Sequence, residues 1–207
     1  MKRLSVILIV AGSLMYCSVG KADITSVQFQ DDGNGAITFP LYTWSGTASD
    51  LSLSLNGVEN RGGAARILGT ITTDTTTDPT LTLSRAIDND TDFAWTAYYV
   101  NIYMDVNFTL SNVNVTLPAD WTVASAQQPV PVVSPYGSYE AQVEFSSGTP
   151  VAIGDELDFG YTISFIGPMS FTEEMIPVPE PGTFGFLAAG ALSLGGFLAA
   201  RRRNRLS

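Results

Sequence analysis

The side chains of this chain that could do chemistry are almost all carboxylates. Its 207 residues include 20 Asp and Glu, 10 Lys and Arg, no histidine and one cysteine, Cys17. Without histidine there is no imidazole base for a hydrolytic triad, and one cysteine supplies neither an intrachain disulfide nor a Cys/His zinc site. Oxygen chemistry remains. Asp88-Asn89-Asp90-Thr91-Asp92 sets three carboxylates at alternate positions, a crowd of hard ligands that suits calcium. The helical-hand loop is incomplete: counting Asp88 as first, Phe93 stands where the sixth-position glycine belongs and Tyr99 where the twelfth-position glutamate belongs. The same residues read equally as a solvated acidic loop, so a calcium site at Asp88, Asp90 and Asp92 is the sharper of two expectations.

Glycoside hydrolysis needs two carboxyls across a cleft, one with a raised pKa. Glu140 with Glu144, and Asp155, Glu156 and Asp158, are candidate groups. Alternation places Glu140 and Glu144 on the polar face of a strand, where carboxylates chiefly keep a protein soluble, so the domain is expected not to be an enzyme. Trp44, Trp95, Trp121 and eight tyrosines offer rings on which sugars stack, against the plainer role of filling a core.

The net charge of −10 conceals three segments. Lys2, Arg3 and Lys21 lie at the start and Arg201, Arg202, Arg203 and Arg205 at the end. Between Asp23 and Glu180 only Arg61, Arg66 and Arg85 oppose all 20 carboxylates, a net of −17. Such a surface repels phosphate backbones and excludes nucleic-acid binding.

Both ends read as addresses. Residues 1–22 combine Lys2 and Arg3, an uncharged run from Leu4 to Gly20, and small residues Gly20 and Ala22, the plan of a secretory signal peptide cleaved between Ala22 and Asp23. Thr183 to Ala200 holds no charge over 18 residues, which as a helix spans about 27 Å, enough to cross a bilayer. The arginines that follow, in residues 201–207, mark its cytoplasmic flank, so the acidic domain belongs on the other side. Between them stands Val178-Pro179-Glu180-Pro181-Gly182, read as an extended stalk because its prolines cannot continue a helix.

Pro-Glu-Pro, a Gly-rich span and an arginine cluster at the chain end, in this order, closely resemble the PEP-CTERM sorting signal of bacteria that secrete exopolysaccharide. The resemblance covers residues 178–207. It implies recognition of Pro179, Glu180 and Pro181 by the membrane-embedded processing enzyme exosortase, with Arg201, Arg202, Arg203 and Arg205 as stop-transfer anchor. The implied partners are the Sec translocon, an exosortase-type enzyme, the inner membrane before processing and exopolysaccharide afterwards. The expected location is single-pass in the cytoplasmic membrane with the domain outside, then the cell surface or matrix. The resemblance says nothing about the chemistry of residues 23–177.

That segment is long enough for one domain and its apolar period is two. From Tyr98 to Leu110 the even positions are apolar, which predicts one long strand or a strand with a bulge, and the phase slips after Ser111-Asn112. Tyr139 to Phe145 and Leu157 to Phe165 alternate likewise. Shorter strands are expected at 24–29, 36–39, 51–55, 66–72, 80–84 and 121–126, with Pro129, Pro131 and Pro135 confining residues 127–135 to a connection or a sheet edge. Asp31 to Gly35, Asn56-Gly57, Arg61-Gly62-Gly63 and Gly154-Asp155 are expected reversals. Nine or so short strands predict an all-β fold, an antiparallel sandwich of jelly-roll or immunoglobulin-like kind. The expected role is that of a structural or adhesive surface protein. A carbohydrate-binding module and a secreted glycoside hydrolase on the same tail are the alternatives.

Overall fold

The structure, a computed structural model, describes residues 24–47, 49–74 and 79–181. The signal-peptide cleavage pair Ala22 and Asp23, the apolar run 183–200, and Arg201, Arg202, Arg203 and Arg205 lie outside the described residues. Among the described residues no helix is long and apolar enough to cross a membrane. The fold is all-β, in eleven strands: β1 (Ile24–Asp31), β2 (Ile37–Thr47), β3 (Asp50–Glu59), β4 (Ala65–Thr73), β5 (Thr80–Asn89), β6 (Trp95–Met104), β7 (Phe108–Leu117), β8 (Thr122–Ser134), β9 (Gly137–Val151), β10 (Glu156–Phe165) and β11 (Met169–Pro179).

Two sheets result. The first has the order β1-β4-β11-β6-β9-β8 and is antiparallel throughout; the second is β2-β3-β5-β10-β7. Only β3 and β5 pair in parallel, with Asp50 opposite Thr80 and Glu59 opposite Asn89. Parallel neighbours need a crossover, and here β4, which lies in the first sheet, is that crossover. Alternation along each strand sends one side inward, as in β3, where Leu51, Leu53 and Leu55 are buried and the serines between them exposed. The buried residues of both sheets form one hydrophobic core. Aromatic rings meet across it: Phe145 of β9 lies 4.9 Å from Phe159 of β10, and Tyr98 of β6 lies 5.9 Å from the same ring.

Several expectations change here. The even-numbered alternation from Tyr98 to Leu110 belongs to two strands, β6 and β7, in different sheets. The chain turns at residues 105–107 without losing phase, because Met104 and Phe108 both face the same dry interior. The slip after Ser111 is a bulge, as anticipated, with Asn112 at φ 52° and the pairing of β7 with β10 shifting there. Asn56-Gly57 is not a reversal but lies inside β3, where even a Cβ at Gly57 would sit a tight 3.3 Å from Ile37 and Ile87. β8, with Pro129 and Pro131, is an edge strand. The segment read as a stalk begins inside the sheet, since Val178 and Pro179 close β11, opposite Ala97 and Trp95.

The interior holds charge. Arg85 of β5 and Glu173 of β11 have no exposed side-chain surface and form an ion pair across the core, with Nη2 2.6 Å and Nε 2.9 Å from Oε2. Removing one partner of a buried pair leaves a bare charge in a low-dielectric interior, whereas replacing both with apolar groups can be nearly neutral. Arg85→Met should therefore destabilise the domain by about 3–5 kcal/mol, and Arg85→Met with Glu173→Leu should recover most of that loss. Urea unfolding of the two variants measures the difference; equal destabilisation by both would refute this account of the pair.

Candidate functional site

Two turns and the end of β11 meet at one end of the domain. Between β3 and β4 runs Asn60-Arg61-Gly62-Gly63, and between β5 and β6 runs Asp90-Thr91-Asp92-Phe93. With Pro177 and Pro179 these residues line an open cleft of about 710 Å³. Gly62 lies directly against the Phe93 ring, and a side chain at 62 would collide with it. Among the described residues Arg61 is the one cation with no carboxylate partner, since Arg66 pairs with Asp32 and Glu174, and Arg85 with Glu173.

The acidic run is a built turn whose buried members are the uncharged ones. Asn89 and Thr91 are buried, while Asp88, Asp90 and Asp92 are exposed. The Asn89 amide donates to the carbonyls of Phe93 and Val151, both at 3.0 Å, and its oxygen accepts from the Thr91 N–H at 3.0 Å and the Thr91 hydroxyl at 2.6 Å. The Thr91 oxygen in turn accepts from the indole N–H of Trp95 at 3.1 Å. Asp90 N–H donates to the Glu59 carbonyl, and Gly154 N–H to that of Asn89, so the neighbouring turns are tied together. Asp88 does not join Asp90 and Asp92. It lies one residue before the end of β5, opposite Glu156 of β10, on a face shared with Asp158. Burial first, then the charges of Asp158 and Asp88, push the Glu156 carboxyl above its usual range. Among the described residues no three or more acidic, His or Cys side chains gather closely enough to hold a metal ion.

The other carboxylates proposed from sequence are dispersed. Glu140 and Glu144 stand on β9 opposite Tyr103 and Tyr99 of β6, on the outer face of the first sheet, and Asp155 sits in the turn before β10. That face is a continuous polar ladder. Gln142 donates to Asn101 at 2.9 Å, Asn101 to Glu174 at 3.1 Å and Arg66 to Glu174 at 2.8 Å. Tyr136 lies under the Arg66 guanidinium, 4.8 Å from it, and beside Tyr103 at 5.6 Å. Trp95 and Trp121 are core residues, and only Trp44, 44% exposed, presents an indole at the surface.

Of the motif residues, Pro179 is half-buried while Glu180 and Pro181 are exposed. Glu180 N–H donates to Ala94 O at 3.3 Å, and the Thr96 hydroxyl lies 3.3 Å from the carbonyl of Val178 and 3.4 Å from that of Pro179. Because successive strand N–H groups alternate in direction, the nitrogens of Pro177 and Pro179 point away from β6. On that side β4 has already ended, its pairing with β11 stopping at Met175. No ladder bond is lost there, which is where a strand tolerates proline. The spacing Pro-x-Pro-x-Pro was the signal for this arrangement, and sequence reasoning took it for a stalk.

Sequence reasoning also missed a buried acid. Glu59, at the end of β3, has no exposed surface and accepts the Tyr98 hydroxyl at 2.7 Å, with its second oxygen unpartnered. Burial pushes this carboxyl up to about 8, against a smaller opposing effect of the Tyr98 bond. A carboxyl whose folded-state pKa is raised binds its proton more tightly in the fold. Its contribution is fully present below about pH 4.5 and is lost as the pH rises toward 8, where the folded protein must ionise a buried acid. Glu59→Gln keeps the acceptor for Tyr98 without a titrating proton. The variant should gain on the wild type steadily from pH 4.5 to about pH 8 and then level off, with an advantage on the order of 5 kcal/mol. Urea midpoints measured across that range check it, and a parallel pH dependence in both proteins would refute it.

A scan against protein-family models, a search of curated proteins and a search of solved structures each find no match to this chain.

Proposed function

We propose that the chain is an exported protein carrying a PEP-CTERM-type sorting tail, whose domain serves as a structural or adhesive component of the bacterial envelope or exopolysaccharide matrix. The observation that carries this reading is the order of the tail: Pro179-Glu180-Pro181, then 18 uncharged residues from Thr183, then Arg201, Arg202, Arg203 and Arg205. In this reading the two sheets pack as a β-sandwich, a signal peptide ends at Ala22, and an exosortase-type enzyme acts on the tail once the domain is outside. A structural role draws support from the dispersal of the carboxylates over outer sheet faces and turns, where Glu140 and Glu144 face tyrosines rather than one another.

A carbohydrate-binding domain on the same tail is the second reading. Tyr99 and Tyr136, half-buried on one outer face with Gln142, Glu140 and Glu144, favour it, since rings and hydrogen-bonding groups side by side suit a sugar chain.

Replacing Pro179, Glu180 and Pro181 together with alanine should leave export intact and block processing. Full-length protein should then accumulate in the membrane fraction, where an immunoblot of fractionated host cells detects it. Release of the domain in wild-type amounts from this variant would overturn the sorting reading.

A further inference from the structure

The sorting motif is joined to the sheet that precedes it. Val178 and Pro179 pair with Ala97 and Trp95 of β6, Pro177 is buried, and Val178 and Pro179 are half-buried. The peptide group between Pro179 and Glu180 is engaged at both ends: its carbonyl lies 3.4 Å from the Thr96 hydroxyl, and its N–H donates to Ala94 O at 3.3 Å. The carbonyl of Val178 lies 3.3 Å from the same hydroxyl. A peptidase binds its substrate as an extended segment through the backbone, as in other forms of strand addition. Backbone groups already bonded in a sheet cannot make those contacts unless the strand peels away. Among the described residues, the first peptide group of the motif with no partner in the sheet is Glu180–Pro181, and both of its residues are exposed.

Building on the sorting reading, we infer that the processing enzyme cuts on the C-terminal side of Glu180, so that the mature domain keeps Pro179, the last residue of β11, and Glu180 directly after it. In that step the oxygen of a water molecule bonds to the carbonyl carbon of the scissile peptide and the C–N bond breaks. A proton of the water passes to the departing nitrogen, which leaves a carboxylate on the domain and an amine on the membrane-bound remainder. An acceptor amine or hydroxyl taking the place of water would appear as added mass on the same residue. Recognition then takes place on an intact fold. Glu180 and Pro181 extend from a fixed strand end, beside the cleft that holds Arg61 and Phe93.

The test uses full-length protein in a host that carries the processing enzyme, with two readouts. The first is the intact mass of the released domain. The second is release from an Ala97→Cys, Val178→Cys variant, whose new cysteines face each other across β6 and β11 and form a disulfide outside the cytoplasm that ties the strand end shut. The expected results are a C-terminus at Glu180 or beyond, and release from the locked variant within twofold of wild type. A C-terminus at Pro179 or earlier would overturn the inference. So would a tenfold loss of release in the locked variant that neither single-cysteine variant shows. If the disulfide does not form, the mass of the wild-type terminus decides alone. Absence of release from the wild type, or equal release from the triple-alanine variant, would instead bring down the sorting reading on which the inference rests.

Discussion

The ion pair between Arg85 of β5 and Glu173 of β11 is the least replaceable contact in the core. Apolar side chains across a core can exchange partners at the cost of packing, but a charge that loses its partner in the dry interior has no substitute. Slippage of β5 against β11 by one residue would turn both charges away from each other. The next residue on β11, Glu174, points to the opposite face and binds Arg66 and Asn101. Two consecutive glutamates thus hold one central strand, the first from within and the second from outside. Of the three arginines between Asp23 and Glu180, two serve β11. The strand that leads into the Pro-Glu-Pro motif is therefore held more firmly by charge than any other.

This explains why β11 was the element least legible in the sequence. No strand is expected over residues 169–177, where Glu173 and Glu174 interrupt the apolar alternation, and residues 178–182 read as a stalk because of their prolines. Both signals are correct for an isolated strand. They fail here because the partners that satisfy the two glutamates come from β4, β5 and β6, which are distant in sequence, and because β4 stops before the prolines begin. Elsewhere the period of two located most strands, since it reports which side of each is dry. It cannot report which sheet a strand joins. Tyr98 to Leu110 keeps a single phase while passing from one sheet to the other, because both present their apolar sides to the same core.

The candidate site was legible in its parts and not in its assembly. Arg61-Gly62-Gly63 and the Asp88 to Asp92 run were both recognisable as turns, and the acidic run drew notice for its carboxylates. The residues that shape it are the intervening Asn89 and Thr91, whose short polar side chains satisfy buried backbone groups that no aspartate facing solvent could reach. Sequence displays the charges at a surface more readily than the neutral hydrogen bonds beneath it. Glu59 is the converse case. It continues the inward phase of Leu51, Leu53 and Leu55, but it lies past the stretch 51–55 expected as a strand, and its position is set by the pairing of β3 with β5.

The last strand of the domain also carries the first residue of the Pro-Glu-Pro motif. Two residues, Pro181 and Gly182, separate Glu180 from Thr183, where the apolar run starts. If that run spans the bilayer, the chain from Glu180 to Thr183 reaches roughly 10 Å at full extension, so the turns beside the motif must lie about that far from the lipid surface. At that distance, about one Debye length, charges still feel the membrane. The carboxylates of Asp90 and Asp92 stand at this end of the domain, with Arg61 as their only cationic neighbour lining the cleft. An anionic bilayer would repel those carboxylates and press the domain away from itself. In that arrangement the pairing of β11 with β6 would carry the force to the exposed segment at Glu180 and Pro181.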